Sequence, residues 1–271
     1  MKLFLFNARR YLKIWAIHWK NSLMERMAYK YNFILMILGV VIQMLLALIF
    51  IKVIFSYISN LAGWSFNEAL IVTATYMIID GLAWATFSYI SGINKHIRAG
   101  TFDNILIKPV DSQFLLSVAR VDPEDWSRVI TAIIVFIYAF QKLGLTAFEL
   151  IKNLFFYIIF IICAYFIVYS ITLLIKSITI RVIEDSSLWS LTMNIIKTSQ
   201  YPTDIFFHKA ARILFSTLIP LAFIATVPAK ILIWGPRFDL IFYSFILAAI
   251  FLYISRKFYL NALKHYASAS S

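Results

Sequence analysis

Long apolar runs constrain this chain more than any other feature, because no soluble fold could bury all of them. A helix needs roughly 20 apolar residues to cross a hydrocarbon core. Phe33–Phe55 and Leu70–Ile90 meet that length, and Leu154–Ile175 is equally clear. Ile213–Trp234 is long enough but carries Pro220 and Pro228, so it is expected to be kinked or broken. Leu240–Ile254 makes a sixth span. Val129–Phe140 is short, and reaches spanning length only by extending to about Ala147. The first run exceeds the roughly 7–15 residues of a signal-peptide core, so it is expected to be retained. Only 14% of the 271 residues are charged, against roughly 25% in soluble chains, which leaves little room for a soluble domain.

Lysine and arginine counts give the orientation. Seven precede the first span, none lies in Ser56–Asn67, and the following loops hold five, two, five and two, with three in the tail. This alternation predicts six spans with both termini in the cytoplasm, and it is the main support for the weak third span. The net charge of +12 is therefore read as cytoplasmic-loop charge and not as a nucleic-acid surface. The expected fold is an all-α polytopic membrane protein. Residues 1–31 form an amphipathic surface helix, 32–256 the six-span domain and 257–271 a cytoplasmic tail. In the surface helix Ala8, Leu12, Trp15, Trp19 and Leu23 share one side, and Arg9, Lys13 and Lys20 another. Ala267–Ser271 reads as disordered.

Few residues offer chemistry. The chain has no Gly-x-x-x-x-Gly-Lys-Ser/Thr loop, no His-Glu-x-x-His helix and no Gly-x-Ser-x-Gly elbow, which argues against an enzyme. Cys163 is a lone cysteine inside a span, and the four histidines are scattered, so no metal site is expected. Asp80 is the one carboxylate near the middle of a confident span. It is either a substrate-pathway or proton-coupling group, or a helix–helix hydrogen bond to a partner such as Gln43, with Gly81 allowing close packing. The loop after the second span could form a short amphipathic segment at about 93–109. Its apolar side would be Ile93, Ile97, Phe102, Ile105 and Leu106, with Gly100 as interruption and Pro109 as end. Such a segment lies on lipid or docks on a partner, and Asp103 among the basic residues favours a protein partner.

The stretch Ile97-Arg-Ala-Gly100-Thr-Phe-Asp103-Asn-Ile-Leu106-Ile-Lys108-Pro109-Val110 resembles the segment after the second span of type-2 ABC exporter permeases, in the branch encoded apart from its ATPase. Tyr201-Pro202, Ile219-Pro220 and Val227-Pro228 match that branch in order and spacing, whereas Val121-Asp-Pro-Glu-Asp-Trp126 departs from it. The resemblance implies a catalytically silent permease subunit of a bacterial inner-membrane exporter. It would pair with a second permease, identical or homologous, and with a dimer of separate ATPase subunits. ATP and Mg would be bound there, and this chain would hold no cofactor. Coupling to the ATPase would fall on Ile97, Arg98, Gly100, Phe102, Asp103 and Leu106. The N-terminal helix would match the family's connecting helix, and the broken fifth span its outer-leaflet turn-back. The path would be lined by the first, second and fifth spans, with Gln43, Asp80, Pro220 and Pro228 as candidate residues and a hydrophobic or amphipathic cargo. Two rivals stay open: a secondary transporter or channel using Asp80 without an ATPase, and a membrane-embedded lipid enzyme.

Overall fold

The computed structural model describes residues 2–144, 146–182, 186–206 and 219–266, and among them regular structure is all-α apart from one isolated β-bridge. The helices are α1 (Lys2–Ala28), α2 (Lys30–Tyr57), α3 (Phe66–Phe87), α4 (Ile93–Arg98), α5 (Asp103–Leu106), α6 (Ser112–Val118), α7 (Trp126–Gln141), α8 (Ala147–Val182), α9 (Ser186–Lys197), α10 (Leu221–Ile224), α11 (Thr226–Trp234) and α12 (Phe238–Leu263). Among the described residues, four segments are long and apolar enough to cross a membrane: Lys30–Tyr57, Phe66–Arg98, Ile151–Ile180 and Phe238–Leu263. Each contains one of the spans expected from the sequence.

Side-chain pairs fix the helix directions. Thr75 and Thr86 of α3 meet the hydroxyls of Tyr157 and Tyr165 of α8 at 2.9 and 2.7 Å, so these two helices run parallel. Gly81 faces Val129, while Phe136 stacks on Tyr157 at 5.3 Å, so α7 runs antiparallel to both. A side chain at Gly81 would place its Cβ 2.8 Å from Val129 Cγ2, so the close approach of α3 and α7 requires glycine there. Phe238 lies 6.1 Å from Phe156, and Gln113 binds both Tyr169 and Arg256 at 2.9 Å, which makes α12 parallel to α8. Both ends of the described chain therefore gather at one end of the bundle. There Arg10 donates to the Pro109 carbonyl (2.9 Å), and Tyr266 packs edge-on against Phe102 (5.2 Å).

The opposite, distal end is closed by a tight turn and a polar clasp. Ala62 and Gly63 take positive φ, and Leu61 and Trp64 exchange backbone hydrogen bonds of 2.9 and 3.0 Å across them. This turn buries Trp64, whose indole donates to Asp204 (3.0 Å), and Lys230 pairs with the same carboxylate at 2.8 Å. Thr73 donates to the Gln200 carbonyl (2.8 Å), the Thr203 N–H to Thr226 (3.0 Å) and Asn153 to the Leu232 carbonyl (2.9 Å). Most polar groups of this clasp are paired, as burial in an apolar setting demands, although the Asn153 Oδ1 has no hydrogen-bond partner.

One expectation needs correcting. The third run does not extend to Ala147: α7 starts at Trp126 and stops at Gln141, before Gly144 with φ +66°. Thr146, whose hydroxyl donates to Glu149 (2.7 Å), then opens α8. With 16 residues, α7 rises only about 24 Å at ~1.5 Å per residue. Ile213–Trp234 is expected to be kinked or broken. Residues 213–218 lie outside the described part, and the rest is α10 and α11, held at the distal end by the clasp. The helix breaks at Ala225 (φ −136°, ψ −42°), because Pro228 cannot donate to the Ile224 carbonyl and so cannot continue α10. Before this segment, α9 and the turn after it carry the chain along the bundle. They run from Lys176, whose Nζ sits 4.1 Å over Trp189 near the α8 C-terminus, to Gln200 and Asp204 at the distal end. Serine, threonine and lysine make this stretch too polar to stand out in a hydropathy count.

Candidate functional site

The segment at 93–109 is a platform at the end of the bundle where both described chain ends lie. Its α4 closes with Gly100 at φ +66°, the Thr101 N–H bonding back to His96 O (2.9 Å) and the Gly100 N–H to Ile97 O (3.1 Å). Glycine suits this left-handed position because a Cβ would be strained there. Ile93, Ile97, Phe102 and Ile105 are buried and Leu106 half-buried, all turned into the bundle. The apolar side thus anchors the platform and is not offered outward. What faces out is Lys95, Arg98, Thr101, Asn104, Lys108 and Ile107, an isoleucine 78% exposed among cations. Asp103 is half-buried, and Phe102 beside it packs edge-on against Tyr266 (5.2 Å), which ties the platform to the end of α12. Of the sequence-named coupling residues, Arg98 stands on the exposed rim, while Ile97, Phe102, Asp103, Leu106 and Gly100 shape and hold it. Ile107 was missed, since its apolar side chain gave no reason to expect exposure.

Helix α1 grips the loop that follows. Tyr11 packs edge-on against Phe114 at 4.6 Å, His18 donates to the Ala119 carbonyl (3.2 Å), Ser22 accepts from the Val121 N–H (3.2 Å), and Arg26 pairs with Asp122 and with Glu124 (3.2 Å). His18, Ser22 and Arg26 are four residues apart, so they form one stripe down the helix. Leu12 and Trp15 point away and stay exposed, as suits the headgroup side; Ala8 lies outside the described side chains.

The acidic stretch that departed from the family pattern lies between α1 and the bundle. Arg128, in the first turn of α7, pairs with Asp80 of α3 and with Asp125 (3.3 Å), and reaches Gln43 of α2 at 3.5 Å. Asp80 and Gln43 are therefore joined through Arg128. The sequence reading counted Arg128 as a topology charge and missed this role. Asp80, Asp122, Glu124 and Asp125 set four carboxylates against two guanidiniums, and one buried oxygen of Glu124 has no partner. Such a surplus favours a retained proton. The Asp125 carboxyl is pushed up to about 7, first by burial, against the pull of Arg128 and with the Asp80, Asp122 and Glu124 charges adding. Burial likewise raises Glu124. Between about pH 4 and about pH 7 the native chain holds a proton that the unfolded chain releases, so this stabilisation is full at low pH and lost as pH rises through the window. Asp125→Asn, a stand-in for the protonated acid, should flatten the melting temperature of detergent-solubilised protein between about pH 5 and about pH 8, as read by tryptophan fluorescence. A variant that loses stability with pH as the parent does would contradict it.

The remaining path candidates do not meet in one place. Asp80 borders a cavity of about 30 Å³ with Trp84, Ser88, Thr172 and Trp189, room for about one water. Pro220 and Pro228 are buried in the distal half. On α9 the exposed face carries Ser187, Ser190, Leu191, Asn194 and Lys197. The Ser190 hydroxyl bonds back to the Ser187 carbonyl (3.0 Å), leaving Asn194 and Lys197 as the polar load of that face.

Long apolar helices around a sparse polar core, with a fixed platform at one end, define a helical membrane protein. A family model described as ABC-2 family transporter protein matches residues 41–270, and the chain belongs to that family. It is a permease subunit of the membrane-embedded type, distinct from the ATPase with which such subunits associate. Neither the curated proteins nor the solved structures give a match.

Proposed function

We propose that the chain is the permease half of an ATP-driven exporter in a bacterial inner membrane, with both termini cytoplasmic and six crossings. The crossings are the four long helices together with α7 and with α9 continued through Gln200. The platform formed by α4 and α5 carries this reading: its apolar residues lock it to the bundle, and its exposed rim presents Arg98 and Ile107 to a partner. A rigid lever of this kind suits transmission of an ATPase's closure into the helices. The assembly would comprise two permeases and two ATPases, with ATP and Mg held by the latter. The polar face of α9 supports a path between permeases, because Asn194 and Lys197 are costly against lipid. That path suits an amphipathic cargo, whose apolar part finds Leu191 and the exposed apolar face of α2. A secondary transporter would need Asp80 as a working carboxylate, and its pairing with Arg128 supports a structural role instead.

Co-expression of the tagged chain with an ATP-binding-cassette ATPase encoded beside it should yield a complex that survives size-exclusion chromatography in detergent. Quantitative recovery of the chain with no ATPase, under conditions where the ATPase is abundant, would refute the reading.

A further inference from the structure

A second candidate site lies away from the platform, the α9 face and the Arg128 cluster. Between α6, α8 and α12 the structure has an open groove of about 640 Å³, within the size range of ligand sites. Its walls are Phe114, Phe166 and Leu252, and at its polar end stands Arg256. The Arg256 guanidinium donates to Asp111 (3.0 Å) and to Gln113 (2.9 Å), and Gln113 in turn donates to the Tyr169 hydroxyl (2.9 Å). Burial works against the Asp111 charge, but hydrogen bonds from Arg256 and the Phe114 N–H outweigh it and hold the carboxyl below its ordinary range. The two charged side chains are 38% and 35% exposed, so each keeps a face open to the groove.

We infer that this groove binds one phospholipid with a zwitterionic, amine-bearing headgroup from the leaflet at the end of the bundle where both described chain ends lie. The charges argue for that occupant. A guanidinium and a carboxylate side by side match the phosphate and the ammonium that a phosphoethanolamine joins through two methylenes, each protein charge facing its opposite. An anionic headgroup without the amine would meet Asp111 unfavourably. The position agrees: α12 is a membrane-crossing candidate, and Arg256 follows its apolar part by two residues, at headgroup depth for acyl chains lying on Phe166 and Leu252. Lipid would enter sideways from the bilayer. The site depends on membrane embedding alone, so it stands whether or not the chain works with an ATPase.

The test is native mass spectrometry of the purified chain, titrated with phosphatidylethanolamine or phosphatidylglycerol in detergent. One phosphatidylethanolamine per chain should be held at least tenfold more tightly than phosphatidylglycerol. Leu252→Trp, which narrows the groove without touching the ion pair, should cut that binding about tenfold. Arg256→Gln should do the same, and circular dichroism would check that each variant is folded. Equal binding of the two lipids would overturn the assignment, as would tighter binding of phosphatidylglycerol or unchanged binding by a folded Leu252→Trp variant.

Discussion

Replacing Arg128 with glutamine is expected to destabilise the bundle by about 3–5 kcal/mol, the usual cost of removing one member of a buried ion pair. Arg128 and Asp80 are 13% and 15% exposed, and the same guanidinium also faces Asp125 and Gln43, so no other described cation stands ready to take its place. The loss comes mainly from the carboxylates left behind. A double variant, Asp80→Asn with Arg128→Gln, should therefore be more stable than Arg128→Gln alone, because it removes the stranded charge as well. Thermal unfolding of the three variants in one detergent decides the matter. If the double variant is the least stable, with the two losses simply adding, Asp80 and Arg128 do not act as a pair.

The second large effect concerns coupling. Arg98→Glu combined with Ile107→Asp should lower cargo-stimulated ATP hydrolysis by the reconstituted complex about tenfold or more, with helical content unchanged. The exposed rim offers one apolar knob among cations, and an exposed apolar side chain inside an interface can be worth about 2 kcal/mol or more. Reversing both its character and the neighbouring charge would put repulsion where attraction is proposed. Asp103 calls for a different expectation. It is half-buried beside the Phe102–Tyr266 contact, so its replacement should loosen the platform from the end of α12 before it affects any partner. Unaltered stimulation in the Arg98/Ile107 variant would remove the rim from the mechanism.

The sequence made the long helices legible because hydropathy reports on composition, and α2, α8 and α12 are apolar along nearly their whole length. It passed over α9 for the same reason. Ser187, Ser190, Asn194 and Lys197 lower the apolar count of α9, while Ala222, Phe223 and Ile233 raise that of a segment held at the distal end. Gly100 was read correctly as an interruption, because a glycine between two short amphipathic stretches has few other uses. Arg128 illustrates the opposite limit. Two of its partners lie 48 and 85 residues away, and the nearby Asp125 alone does not distinguish it from an arginine that only sets topology. The acidic stretch 122–125 was visible as an oddity, but its binding of Arg26 needs the fold to bring α1 alongside.

The shortness of α7 has a consequence for the surrounding lipid. In the six-crossing reading, a 16-residue helix of about 24 Å stands beside α3, α2 and α8, of 22, 28 and 36 residues. The hydrocarbon layer is about 30 Å thick, so it must dip or let water in along that flank, at a fraction of a kcal/mol per Å of mismatch. Thicker, more saturated bilayers raise that elastic cost and thinner ones relieve it. The protein thereby carries a built-in sensitivity to acyl-chain length, confined to one side of the bundle.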